Sequence, residues 1–206
     1  KMFFNTCSRK TCYNRLLQMK AKGFISINTN RYGKDPLWVL TKKGFRVTED
    51  HFPELQEIGF RSENLRHDHL LLALHLGDLL NGCPENLYLV SEQQLRRYHA
   101  EFIPRYIPPA KRHRPDGYWF FNHDDKKRLV ALELELNHKN SSAYSNLGSF
   151  YSGFRNINDV LWVVKNKSMA TNLQRKLDTR QYDYKDKHSF ATLEDFEKKG
   201  WQSPIV

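Results

Sequence analysis

The chain has 206 residues, with 33 Lys and Arg against 23 Asp and Glu, a formal net charge of +10 and a sequence pI near 9.5. A hydrophobic content of 39% is enough for one large or two small cores and excludes a disordered basic tail. The longest unbroken apolar runs, Leu70 to Leu74 and Val160 to Val164, are five residues each, far below the roughly 20 that cross a bilayer, so no membrane partner is expected. The start, Lys1-Met2-Phe3-Phe4-Asn5, has neither a long apolar region nor a small-residue cleavage site. Cys7, Cys12 and Cys83 show no CxxC or zinc-ligand spacing, so a reducing, cytoplasmic setting is expected.

Charge divides the chain. Residues 1 to 62 hold twelve Lys and Arg against five acids, and residues 63 to 206 hold 21 against 18. A concentrated positive field on a small module is the footprint of nucleic-acid binding, and equally of a solvated, solubilising surface. From Ser8, an expected N-cap, Cys12, Leu16 and Met19 recur at helical spacing until Gly23, which predicts an amphipathic helix. Lys10, Thr11, Asn14 and Gln18 fall on the side opposite that stripe and offer cationic and amide groups to phosphates and base edges. Phe24 to Asn28 and Leu37 to Leu40 read as two strands of a hairpin whose tip carries Arg31 and Lys34. Helix, hairpin and the following Thr41-Lys42-Lys43-Gly44-Phe45 resemble a winged-helix DNA-binding domain over residues 1–62, or the same fold used for dimerisation or protein docking. A full winged helix has helices before this one, and residue 1 is Lys, so an N-terminally trimmed domain is expected. Pro53 to Ser62 reads as the junction.

Residues 63–206 predict a helix over Glu63 to Leu80 ending at Asn81-Gly82, a strand at Leu87 to Val90, and a helix opened by the capping box Ser91-Glu92-Gln93-Gln94. A hairpin follows, Gly117 to Phe121 and Arg128 to Asn137, then a helix over Ser141 to Phe154 and a buried strand at Asp159 to Val164. Met169 to Leu177 reads as a helix and Ser189 to Leu193 as a last strand, giving a mixed sheet flanked by helices. Trp119, Phe120, Phe121 and Trp162 are expected in the core.

The informative segment is Leu129 to Lys139. With side chains alternating at period two, Val130, Leu132, Leu134 and Leu136 take one face, and Glu133, Glu135, Asn137 and Lys139 the other. Carboxylates two apart on a buried strand are costly unless a cation or basic partner neutralises them, which points to a metal. Asp116, in Arg114-Pro115-Asp116-Gly117, opens the neighbouring strand and can converge on them. The alternative is a Pro-Asp turn beside a solvent-facing strand whose acids pair with Lys126, Lys127 or Arg128.

Pro115-Asp116, seventeen residues before a Glu-x-Glu strand with a nearby lysine in an αβββαβ order, resembles the PD-(D/E)xK restriction-endonuclease-like superfamily over roughly residues 63 to 193. With the preceding module and the segment ELELNHKNSSAY, the chain is also similar to replication-relaxation and plasmid-mobilisation proteins of bacterial mobile elements. The resemblance implies an α/β protein, an N-terminal winged helix followed by a nuclease-like domain. It also implies Mg²⁺ or Mn²⁺ held by Asp116 and Glu133 or Glu135, and Lys139 stabilising charge during phosphodiester cleavage. If Glu133 is the motif acid, Glu135 occupies the lysine position, and if Glu135 is, Asn137 does. That departure equally implies a domain that binds DNA without cutting it. Glu92 and His67 or His69 match the family only loosely. Implied partners are DNA, a second copy of the chain, or replication and mobilisation proteins of the element.

Overall fold

The computed structural model describes residues 8–32, 35–49, 51, 64–76, 87–109, 113–123, 126–178 and 187–199. It divides into two compact units, Lys1–Arg66 and His67–Val206. The expected junction, Pro53 to Ser62, lies outside the described residues. No helix among them is long and apolar enough to cross a membrane.

In the first unit, helix α1 (Arg9–Ala21) starts at Ser8, whose side chain accepts a hydrogen bond from the Thr11 backbone N–H at 3.2 Å. It stops at Gly23, whose φ of 74° suits a residue without a Cβ. Strands β1 (Ile25–Tyr32) and β2 (Asp35–Leu40) pair antiparallel with Ile25 opposite Leu40. Helix α2 (Lys42–Glu49) then begins where no helix was expected. The cause is local: Thr41 Oγ1 accepts from the Gly44 N–H at 3.1 Å and donates to the Gly23 carbonyl at 2.6 Å. Gly44, a poor helix former, is needed because a Cβ there would lie 2.0 Å from the Phe24 carbonyl oxygen. The apolar stripe of α1 departs from expectation. Cys12 and Leu16 are half-buried, but Met19 is 40% exposed and no α1 residue is buried. The helix instead meets the hairpin through Tyr13, whose ring sits edge-on to Trp38 at 6.1 Å.

The second unit is a mixed α/β fold on a five-stranded sheet. Its strands are β3 (Tyr88–Ser91), β4 (Gly117–His123), β5 (Lys126–Glu135), β6 (Asp159–Val164) and β7 (His188–Thr192), adjacent in chain order. The first three form an antiparallel meander; β5, β6 and β7 run parallel. Parallel neighbours need crossovers, supplied by α5 (Ser141–Gly153) and α6 (Lys167–Asp178). Helix α3 (Leu65–Leu76) precedes the sheet, α4 (Glu92–Arg97) and a 3₁₀ turn at Ala100–Phe102 separate β3 from β4, and α7 (Leu193–Lys199) follows β7. The expected helix end at Asn81-Gly82 lies outside the described residues.

Period-two alternation sorts the layers. Val130, Leu132 and Leu134 join Trp119, Phe121, Leu161 and Val163 against Leu71 and Leu74 of α3. Leu129 and Ala131 join Tyr118, Val160 and Trp162 against Tyr144, Leu147 and Tyr151 of α5 and Leu173 of α6. Both faces of β5 are therefore covered. Trp119, Phe121 and Trp162 are core, and half-buried Phe120 stacks on Tyr106 at 4.2 Å. Ser91 and Gln94 form the capping box of α4. The Thr192 hydroxyl accepts from the Asp195 N–H at 3.0 Å and donates to its carboxylate at 2.7 Å, opening α7 where the strand was expected to reach Leu193. Arg128 pairs with Asp159 at 2.5 Å, not with the acids of its own strand.

Gly44→Ala tests the close approach in the first unit. It is expected to destabilise that unit by about 1–3 kcal/mol, lowering the first of two calorimetric transitions and leaving the second in place.

Candidate functional site

One edge of the five-stranded sheet gathers most of the chain's chemically useful side chains. β4 begins beside the end of β5, with Gly117 opposite Leu132. β3 ends there too, with Ser91 opposite Gly117, as do β6, with Glu135 opposite Val164, and β7, with Val164 opposite Thr192. The edge beyond the carboxyl ends of parallel strands is where α/β sheets bind ligands. Asp116, Glu133, Glu135 and Lys139 all lie there, and Glu92 opens α4 at the same edge.

Asp116 is held from several sides. Its Oδ2 accepts from the Leu134 backbone N–H at 2.6 Å, tying the start of β4 to the end of β5. His67 Nε2, from the first turn of α3, donates to the Leu134 carbonyl at 3.1 Å and lies 3.4 Å from the same Asp116 oxygen, while its Nδ1 lies 3.4 Å from Asp68. Burial opposes charge on this imidazole, but hydrogen bonds to Asp116 and Asp68, the Asp116 charge and the Leu134 carbonyl outweigh it and raise its pKa to about 10. His75, two turns further along α3, is buried, and burial holds its pKa below the usual value. Its Nδ1 accepts from Trp119 Nε1 at 3.0 Å, so its proton is on Nε2, which donates to the Asp116 carbonyl at 3.3 Å. Gly117 makes room for it, since a Cβ there would fall 2.5 Å from His75 Cε1.

Glu133 and Glu135 are 4% and 5% exposed on the face they share with Ala131. Glu133 Oε1 accepts from His113 Nε2 at 2.5 Å and from the Tyr151 hydroxyl. Burial raises the Glu133 pKa, opposed by His113. Burial also raises Tyr151, helped by the Glu133 charge. Lys139 Nζ lies 2.8 Å from Glu135 Oε2 as an ion pair. Among the described residues that buried oxygen has no partner of strict hydrogen-bond geometry. Burial disfavours the Lys139 charge, but pairing with Glu135 and the charges of Glu133 and Asp116 raise its pKa overall. Glu92 is half-buried and its pKa is raised by burial, then by the charges of Asp116 and Asp68.

The structure thus gathers Asp116, Glu133, Glu135 and Lys139, and adds Glu92 and His67; His69 is exposed on α3. His113, Tyr151 and His75 were not foreseen. His113 and Tyr151 stand 20 and 18 residues from Glu133 in the chain, and only the aromatic face expected over Ser141 to Phe154 hinted at Tyr151. In the first unit, Lys10, Thr11, Asn14 and Gln18 are all exposed on α1. The side chain of Arg31, and Lys34 as a whole, lie outside the described residues.

The donor chemistry, carboxylate oxygen, suits a hard divalent cation, and Glu135 Oε2 is a buried acceptor still open to one. With each carboxylate turned towards a protein partner, no group of three or more His, Cys, Asp or Glu among the described residues is arranged to hold an ion. No protein-family model, curated protein or solved structure matches the chain. Fold and site define an α/β protein with a buried cluster of acids at the carboxyl edge of a mixed sheet, its chain also forming a smaller helix and hairpin unit.

A histidine whose pKa rises on folding contributes stability that is complete below its ordinary 6.5 and is lost as pH rises through about 10. Urea unfolding in EDTA is expected to show stability falling across that interval and the fall largely removed in His67→Gln; an equal fall in the variant would assign it to another group. Gly117→Ala is expected to displace His75 and cost about 1–3 kcal/mol, read as a lowered unfolding midpoint.

Proposed function

We propose that the chain is a DNA-binding protein of a bacterial mobile element whose second unit is a PD-(D/E)xK-type phosphodiesterase that cuts or nicks DNA during replication, mobilisation or defence. The observation that carries this reading is the convergence of Asp116 with Glu133, Glu135 and Lys139 at one buried sheet edge. Further support comes from the strand order, an antiparallel meander followed by a helical crossover to a parallel strand. A winged-helix role for the first unit is supported by four exposed polar residues on α1 followed by a two-stranded ribbon.

Asp116 with either Glu133 or Glu135 would hold Mg²⁺ or Mn²⁺, which when bound would polarise the scissile phosphate and lower the pKa of a water. The chain's own residues do the rest. The Leu134 N–H and His67 fix the Asp116 carboxylate, and His113 with Tyr151 fixes Glu133. Lys139 keeps its charge, because its pKa is raised, and can neutralise charge building on the phosphate oxygens.

A second reading is a DNA-binding regulator that keeps this scaffold without cleavage. One observation favours it: each of the three carboxylates already has a basic or phenolic partner within the protein. Incubation of purified protein with Mg²⁺ or Mn²⁺ and supercoiled, linear, single-stranded and branched DNA separates the two. Cleavage is expected, with Asp116→Ala and Glu135→Ala each reducing the rate by at least about 100-fold. Intact DNA under all conditions, or variants as active as wild type, would leave the regulator.

A further inference from the structure

Glu133 and Glu135 of the second unit are buried, and the same sheet edge carries exposed basic residues. Because β4 begins where β5 and β6 end, the chain places Arg114 before β4, His138 after β5, and Lys165 and Lys167 after β6 around the buried cluster. All four are exposed. Among the described residues, the ammonium groups of Lys165 and Lys167 and the ring of His138 have no hydrogen-bond or ion-pair partner. Lys176 completes the rim: its Nζ donates to the Lys139 carbonyl at 3.5 Å and lies 5.1 Å from the centre of the Tyr144 ring.

Most acids at this edge are engaged within the protein, and half-buried Glu92, on which the charge of Arg114 acts, offsets only that one cation. Glu135 is sunk beneath the rim and paired with Lys139. Beyond β7, Glu194 is paired with Lys198 at 2.5 Å, and the Asp195 carboxylate accepts from Thr192. Like charges gathered on an exposed rim repel one another in the free protein, and a chain of phosphates converts that repulsion into attraction by releasing counterions.

We propose that this rim, with Arg114, His138, Lys165, Lys167 and Lys176, is a second DNA-contacting surface that takes the phosphodiester backbone across the acid cluster. It belongs to the second unit and adds to the contacts proposed for α1. The choice of DNA as the polyanion rests on the function proposed above. The surface itself rests on the placement of the cations.

The test is fluorescence anisotropy of a short labelled duplex and its single strand with the full chain, in EDTA so that nothing is cut, over a series of salt concentrations. Lys165→Gln/Lys167→Gln, both exposed and outside the acid cluster, is compared with wild type and with Lys10→Ala/Asn14→Ala/Gln18→Ala, after circular dichroism shows equal folding. The rim variant is expected to bind on the order of tenfold more weakly near 0.1 M salt, with a log–log salt slope shallower by about 1.8, the release expected from two phosphate contacts. Affinity and slope equal to wild type in the rim variant, with binding lost in the α1 variant, would overturn the rim and leave the DNA-binding reading standing. Absence of salt-dependent binding by the wild type would overturn both.

Discussion

The second unit is organised around one electrostatic constraint: two carboxylates, Glu133 and Glu135, lie on a strand with helices over both faces. A carboxylate removed from water must be neutralised, protonated or hydrogen-bonded, because an unpaired buried charge costs several kcal/mol. The surroundings follow from that demand. Tyr151 of α5 and His113 of the loop before β4 turn towards Glu133, and Lys139 folds back four residues onto Glu135. Each partner comes from a different element, so the acids also fix how α5, the β4 loop and the end of β5 meet.

Asp116 extends the cluster and is secured by the Leu134 N–H of β5 and by one helix. α3 reaches its carboxylate through His67 and its main chain through His75. The two imidazoles are in opposite electrical states: carboxylates around His67 favour its charged form, whereas burial of His75 and its bond from Trp119 favour the neutral one. Gly117 lets the second contact exist, since any side chain there would displace the His75 ring. Aspartate, glycine and histidine thus form one interlocked unit joining α3 to β4.

Much of this was legible in the sequence because period-two alternation is strict on a strand buried on both faces. The parity that put Glu133 and Glu135 opposite Leu132 and Leu134 could be read from the residues alone, as could the Ser8 cap and the capping box at Ser91. The partners of the acids could not. His75, His113 and Tyr151 reach the cluster through tertiary packing, and no local spacing marks them. Other misses were local. Gly44 hid α2 because a glycine within a helix usually argues against one, and here it answers a backbone contact with Phe24. Thr192 hid α7 because a residue favoured in strands also serves as a cap. Met19 fits the helical stripe, but the contact of α1 with its hairpin runs through Tyr13.

Lys187, immediately before β7, is buried and donates to the Tyr151 and Phe154 carbonyls at 3.2 and 2.8 Å, capping the end of α5. Tyr151 is thereby secured twice, its hydroxyl to Glu133 and its main chain to a residue 36 positions further on. During synthesis, Glu133 and α5 leave the ribosome well before the lysine that pins that helix. The acid cluster is therefore sealed only when the last strand arrives, and a chain halted before residue 187 carries every acid of the site without the clasp that closes α5 over them.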